Sequence, residues 1–62
     1  MKVKIKSYYG EFPSYLTLGK VYEVIDCFDD RVPMIQDDVN SIIYIGLEYC
    51  QHLNGGSWEI VK

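Results

Sequence analysis

From residue 18 to residue 61 the chain is a succession of short β-prone runs cut by Gly and Asp turns. The first is Leu18-Gly19-Lys20-Val21-Tyr22-Glu23-Val24-Ile25, and the last is Gly55-Gly56-Ser57-Trp58-Glu59-Ile60-Val61. Gly, Asp and Asn accept the tight backbone of turns, whereas Val, Ile, Tyr and Trp suit a pleated, half-buried strand. Such punctuation within 62 residues leaves room for about five short strands and no second core, so residues 1–62 are expected to form one domain.

The composition favours folding over disorder. Apolar residues make up 48% of the chain and aromatics 15%, too much for a solvated tail. Each buried aromatic removes about 150–250 Å² from water, which offsets the poor surface-to-volume ratio of a short chain. No apolar run approaches the ~20 residues of a membrane span. The start, Met1-Lys2-Val3-Lys4-Ile5-Lys6, alternates instead of forming the apolar stretch of a signal peptide. A soluble, cytoplasmic protein with Cys27 and Cys50 reduced is the expectation.

Residues 2–6 alternate without fault, Val3 and Ile5 on one face and three lysines on the other, which predicts a first strand. A long loop follows, broken by Gly10 and Pro13, with at least Phe12 expected to fold back over the core. Gly19 turns the chain into a second strand over 20–28, in which Tyr22 and Val24 face inward and a bulge is expected. A third strand is predicted over 32–37, after an Asp29-Asp30 turn. The turn at 38–41 leads into Ile42-Ile43-Tyr44-Ile45, a dense β-branched run that reads as a central strand. Leu47, Cys50 and Leu53 recur every three residues, as in a 3₁₀ turn. Trp58 and Ile60 share one face of the last strand, an alternation that favours burial of Trp58 over its use as an exposed binding platform. A long first loop, three strands in hairpin succession, and a helical turn before the final strand form the layout of an all-β, five-stranded SH3-like barrel.

Chemistry is sparse. His52 has no recognisable nucleophile motif beside it, and Gly55-Gly56 precedes a strand, not a phosphate-cradling helix. No catalytic residue and no cofactor are expected. Cys27, Cys50 and His52 lack the paired spacing of a zinc knuckle, so no metal is expected and the cysteines read as small core fillers. The net charge of −3 conceals an asymmetry: residues 21–38 hold six carboxylates against Arg31 alone. Such a chain is poorly suited to nucleic acid, whose backbone demands several cations. It suits a basic protein partner better, steered by Asp29, Asp30, Asp37 and Asp38 and contacted by Tyr8, Tyr9 and Tyr15 of the first loop. A nucleic-acid module using Lys2, Lys4 and Lys6 with stacked tyrosines is the alternative. A homo-oligomer built through an exposed edge strand is a third.

Over Leu16-Thr17-Leu18-Gly19-Lys20-Val21-Tyr22-Glu23-Val24 and Tyr49-Cys50-Gln51-His52-Leu53-Asn54-Gly55-Gly56-Ser57-Trp58-Glu59-Ile60-Val61 the chain resembles small SH3-like proteins encoded by bacteriophages. The shared features are a Leu-Thr-x-Gly-Lys-x-Tyr-x-Val strand, an Asp-rich hairpin and a closing Gly-Gly-x-Trp-Glu strand. The resemblance implies a non-enzymatic accessory protein that binds, and in some cases inhibits, a host protein in the host cytoplasm. The Ala-Leu-Tyr-Asp-Tyr stretch and paired Trp of signalling SH3 domains are absent, so proline-rich peptide recognition is not expected.

Overall fold

The computed structural model describes residues 1–29 and 32–62. Its strands are β1 (Lys2–Ser7), β2 (Tyr22–Asp29), β3 (Val32–Gln36), β4 (Ile42–Tyr44) and β5 (Ser57–Val61), with a 3₁₀ turn (Gln51–Leu53) before the last. All pairings are antiparallel, and the sheet order is β4-β3-β2-β1-β5. The all-β class, the five strands and the position of the helical turn follow the sequence expectation.

β2 joins the two halves of the sheet. Its first residues, Tyr22 and Glu23, pair with β1, and the remainder pairs with β3. The expected bulge is present twice, because the register against β3 slips between Val24 and Asp26 and again between Cys27 and Asp29. Each slip inserts one extra residue on β2, Ile25 in the first case and Phe28 in the second. A bulged strand bends and twists more strongly, so β2 coils from one half-sheet into the other.

Buried side chains from both halves form one cluster: Val3, Ile5, Leu16, Tyr22, Ile35, Ile45, Cys50, Leu53 and Trp58. Phe12, Tyr15, Val24, Ile43 and Leu47 pack against its rim. Val3 and Ile5 lie across β1/β5 from Ile60 and Trp58, so these four share a face, as the alternation requires.

Four expectations are corrected. The sheet is not a closed barrel: among the described residues β4 and β5 are its two edges. The 45–56 segment spans the gap with single contacts, Trp58 N–H to Leu47 O at 2.9 Å and the Cys50–Gly56 bridge, instead of a ladder. Closure fails because β4 is three residues long and the chain then turns away at Gly46, whose missing side chain lets the Tyr49 carbonyl approach. Second, β4 is an edge strand, not a central one: Ile43 and Ile45 point inward, but Ile42 and Tyr44 are exposed. A β-branched run reads the same whether one face or both are covered, and only the sheet order decides. Third, Ile60 is exposed although it shares Trp58's face and pairs with the buried Val3, because β5 is an edge strand with no neighbour on its outer side among the described residues. Fourth, Cys50 fills the core as expected, whereas Cys27 is exposed on the bulged part of β2.

Candidate functional site

The long loop between β1 and β2 is fastened at two places. At the 3₁₀ turn, Tyr9 N–H donates to Leu53 O at 3.1 Å. The Asn54 side-chain amide donates to Tyr9 O at 2.6 Å and to Glu11 O at 3.2 Å. Asn54 caps the turn in the left-handed conformation, with φ of 57°, which Asn accepts better than most side chains. The Tyr15 hydroxyl and His52 Nδ1 are hydrogen-bonded at 2.6 Å. Tyr8 stacks edge-on against Phe12 with ring centroids 4.8 Å apart.

The second fastening is on the β3–β4 hairpin and centres on Asp38. Its carboxylate accepts from Thr17 Oγ1 at 2.6 Å, Lys20 Nζ at 2.7 Å and the Tyr22 hydroxyl at 3.0 Å. The Tyr22 hydroxyl in turn accepts from Thr17 N–H at 2.8 Å, and Asp38 N–H donates to Tyr15 O at 2.9 Å. The hydrogen bond from Lys20, seconded by that from Thr17, holds the Asp38 carboxyl below the usual carboxylate range. The same contact raises Lys20, while burial pushes the Tyr22 phenol up.

The loop tyrosines therefore sit on a stiff frame. Tyr9 is 61% exposed, Tyr8 is exposed above Phe12, and Tyr15 is half-buried against His52. These three are brought to one end of the molecule, around the 3₁₀ turn.

Asp37 and Asp38 add no unmatched charge to that surface. Asp37 is only 6% exposed, and its Oδ1 accepts Val39 N–H at 3.0 Å and Ser41 N–H at 2.8 Å. It closes the hairpin turn from inside, so it presents no charge to a partner. Asp38 faces Lys20 within the chain. The backbone of Asp29 ends β2 opposite Val32, and Asp30 lies outside the described residues. Of the lysines on β1, Lys2 stands across from Glu23, and Lys4 forms an ion pair with Glu59 at 3.4 Å, which leaves the stripe less basic than its sequence.

A second surface was not legible in the sequence. The bulges turn Ile25 and Phe28 outward, and Phe28 is 76% exposed. Phe28 lies edge-on to Tyr44, centroids 5.8 Å apart, and with Val32 the two rings line an almost wholly apolar hollow. Beside them a groove of about 460 Å³ follows β4, lined on that side by Ile42 to Gly46 and on the other by Tyr49, Gln51 and His52. The only advance signal was the lack of any charge between Val39 and Leu47.

Among the described residues no helix is long and apolar enough to cross a membrane. Against known proteins, the chain matches no family model, no curated protein and no solved structure.

Proposed function

We propose that this chain is a non-enzymatic protein-binding module of SH3-like layout, an accessory protein of a bacteriophage that engages a host protein in the host cytoplasm. The observation that carries the binding role is the presentation of Tyr8 and Tyr9 on a loop fastened at both ends. A rigid Tyr offers large amphipathic contact area with little rotamer entropy to lose, which is why such residues are enriched where proteins meet. The strand order, the bulged β2 and the 3₁₀ turn before β5 support the SH3-like layout, and the motifs at 16–24 and 49–61 support the phage origin.

With Asp37 buried and Asp38 matched by Lys20, electrostatic steering by the hairpin gives way to aromatic contact as the main source of affinity. The test is capture of partners from bacterial lysate with quantitative mass spectrometry, comparing the native chain with a Tyr8→Ser/Tyr9→Ser variant. Loss of the captured protein in the variant is expected. Equal capture by both proteins refutes the tyrosine surface.

A further inference from the structure

We infer that β4 is a dimerisation edge, on which a second copy of this chain adds its own β4 antiparallel about Ile43. The argument starts from the contrast between the two edges of the sheet. β5 carries Glu59, ion-paired to Lys4, and its Trp58 N–H is taken by Leu47 O, so that edge is charged and partly covered. β4 has neither protection. Residues 39–47 contain no charge and no proline, the two devices that usually keep an exposed strand from pairing with another chain.

The hydrogen-bond pattern shows which β4 groups face away from β3 among the described residues. Asp37 N–H donates to Ser41 O at 2.8 Å, and Ile45 N–H to Pro33 O at 2.9 Å. The intervening register, Gln36↔Ile42, Ile35↔Ile43, Met34↔Tyr44, is unbroken. Polar groups alternate along an antiparallel strand, so those of 41, 43 and 45 face β3. The N–H and C=O groups of Ile42 and Tyr44 therefore point away from the sheet.

A two-fold axis at Ile43 places Ile42 opposite Tyr44 of the second copy, and Tyr44 opposite its Ile42. Each such pair exchanges both of its backbone hydrogen bonds, four in all. The side chains match as well. Ile42 (62% exposed) and Tyr44 (56%) meet their counterparts on one face, flanked by Phe28. The groove between β4 and Tyr49 leaves space for the incoming strand.

The paired strands themselves bring no like charges together, because residues 39–47 carry none. The nearest paired carboxylate position on this side of the sheet, Asp26, lies opposite Met34 and thus two strands in from the edge. At about 4.8 Å per strand the two Asp26 positions stand roughly 24 Å apart across the dimer, well beyond a Debye length of ~8 Å. The net charge of −3 instead discourages contact through other faces. The exposed parts of Phe28, Ile42, Tyr44 and Tyr49 supply about 400–500 Å² per copy, or roughly 900 Å² together, the size of a weak, transient interface. Assembly is expected to stop at two copies because the β5 edge is charged and partly covered.

This inference does not use Tyr8 or Tyr9, so it stands or falls separately from the proposed partner surface. Sedimentation equilibrium from about 5 μM to 1 mM is expected to show a monomer–dimer equilibrium. Ile42→Lys, at an exposed position that leaves the core intact, is expected to weaken it at least tenfold while the far-ultraviolet spectrum stays unchanged. Amide exchange in the native chain supplies the second readout: Ile42 and Tyr44 N–H become protected as concentration rises. A monomer throughout, assemblies larger than a dimer, or a dimer whose Ile42 and Tyr44 amides stay unprotected overturns the inference.

Discussion

Replacing Asn54 by Gly keeps the left-handed backbone that ends the 3₁₀ turn and removes the amide that fastens the tyrosine loop. Two hydrogen bonds are lost, to Tyr9 O at 2.6 Å and Glu11 O at 3.2 Å. Because Asn54 is exposed, water replaces them, and their net worth is about 1–1.5 kcal/mol together. Gly adds about 0.5 kcal/mol by loosening the unfolded chain. The variant is therefore expected to lose about 2 kcal/mol, against a total of roughly 3–9 kcal/mol for a domain this size. Asn54→Ala loses the same bonds and must also hold an alanine at φ near 57°, which costs about 1–2 kcal/mol more in backbone strain.

Urea denaturation followed by Trp58, the single tryptophan, ranks the three proteins: native above Gly above Ala, with about 1 kcal/mol between the variants. Amide exchange at Tyr9, whose N–H donates to Leu53 O, is expected to speed up in both variants more than exchange in β3. Stability within about 0.5 kcal/mol of native for both variants, or no change at Tyr9, refutes the reasoning that Asn54 holds the loop.

Two further outcomes test the hairpin and the core. The folded-state pKa of Asp38 lies below its unfolded value, so its contribution is fully present above the ordinary carboxylate range near 4 and is lost as pH falls through the lowered value. The urea midpoint of the native chain should fall on acidification below about pH 4, and Asp38→Asn should flatten that part of the profile. Trp58 is buried with no hydrogen-bond partner for its indole N–H among the described residues. Trp58→Phe sheds that unsatisfied donor, worth about 1–3 kcal/mol, against about 1 kcal/mol of lost apolar burial. It should stay within about 1 kcal/mol of native by circular dichroism, whereas Trp58→Ala loses about 3–5 kcal/mol.

What could be read from the sequence follows from period and punctuation. β1 announced itself because Val3 and Ile5 alternate with three lysines, and the structure buries the former and turns the latter outward or to the rim. Tyr22 inside β2, the bulging of that strand and the 3₁₀ turn before β5 were legible for the same reason. β4 was misread because Ile42-Ile43-Tyr44-Ile45 has no polar residue to mark its outer face. Exposure there depends on which strand comes next in the sheet, a long-range fact that local pattern does not carry. The Asp pairs show a second limit. Asp37 and Asp38 were read as surface charge, but one side chain closes its own turn and the other receives three donors from residues 17, 20 and 22. Asn54 was overlooked, although Asn-Gly-Gly after a helical turn is a signal for a left-handed cap.

The same bulges that bend β2 also decide where apolar surface is exposed. A regular β2 of this sequence would keep strict alternation, and Ile25 and Phe28 would fall on opposite faces. Two inserted residues break that parity and leave both side chains exposed on the coiled half of the sheet, whose outer strand β4 is an edge among the described residues. Single exposed apolar residues need no explanation, but Phe28, Val32 and Tyr44 lining one hollow beside an uncharged edge do. Filling the core does not require them, since the buried cluster is complete without any of the three. The fold thus separates its features in space. Asp37, Asp38 and Asn54 fasten the loop and hairpin from within, and apolar surface is left beside the β4 edge.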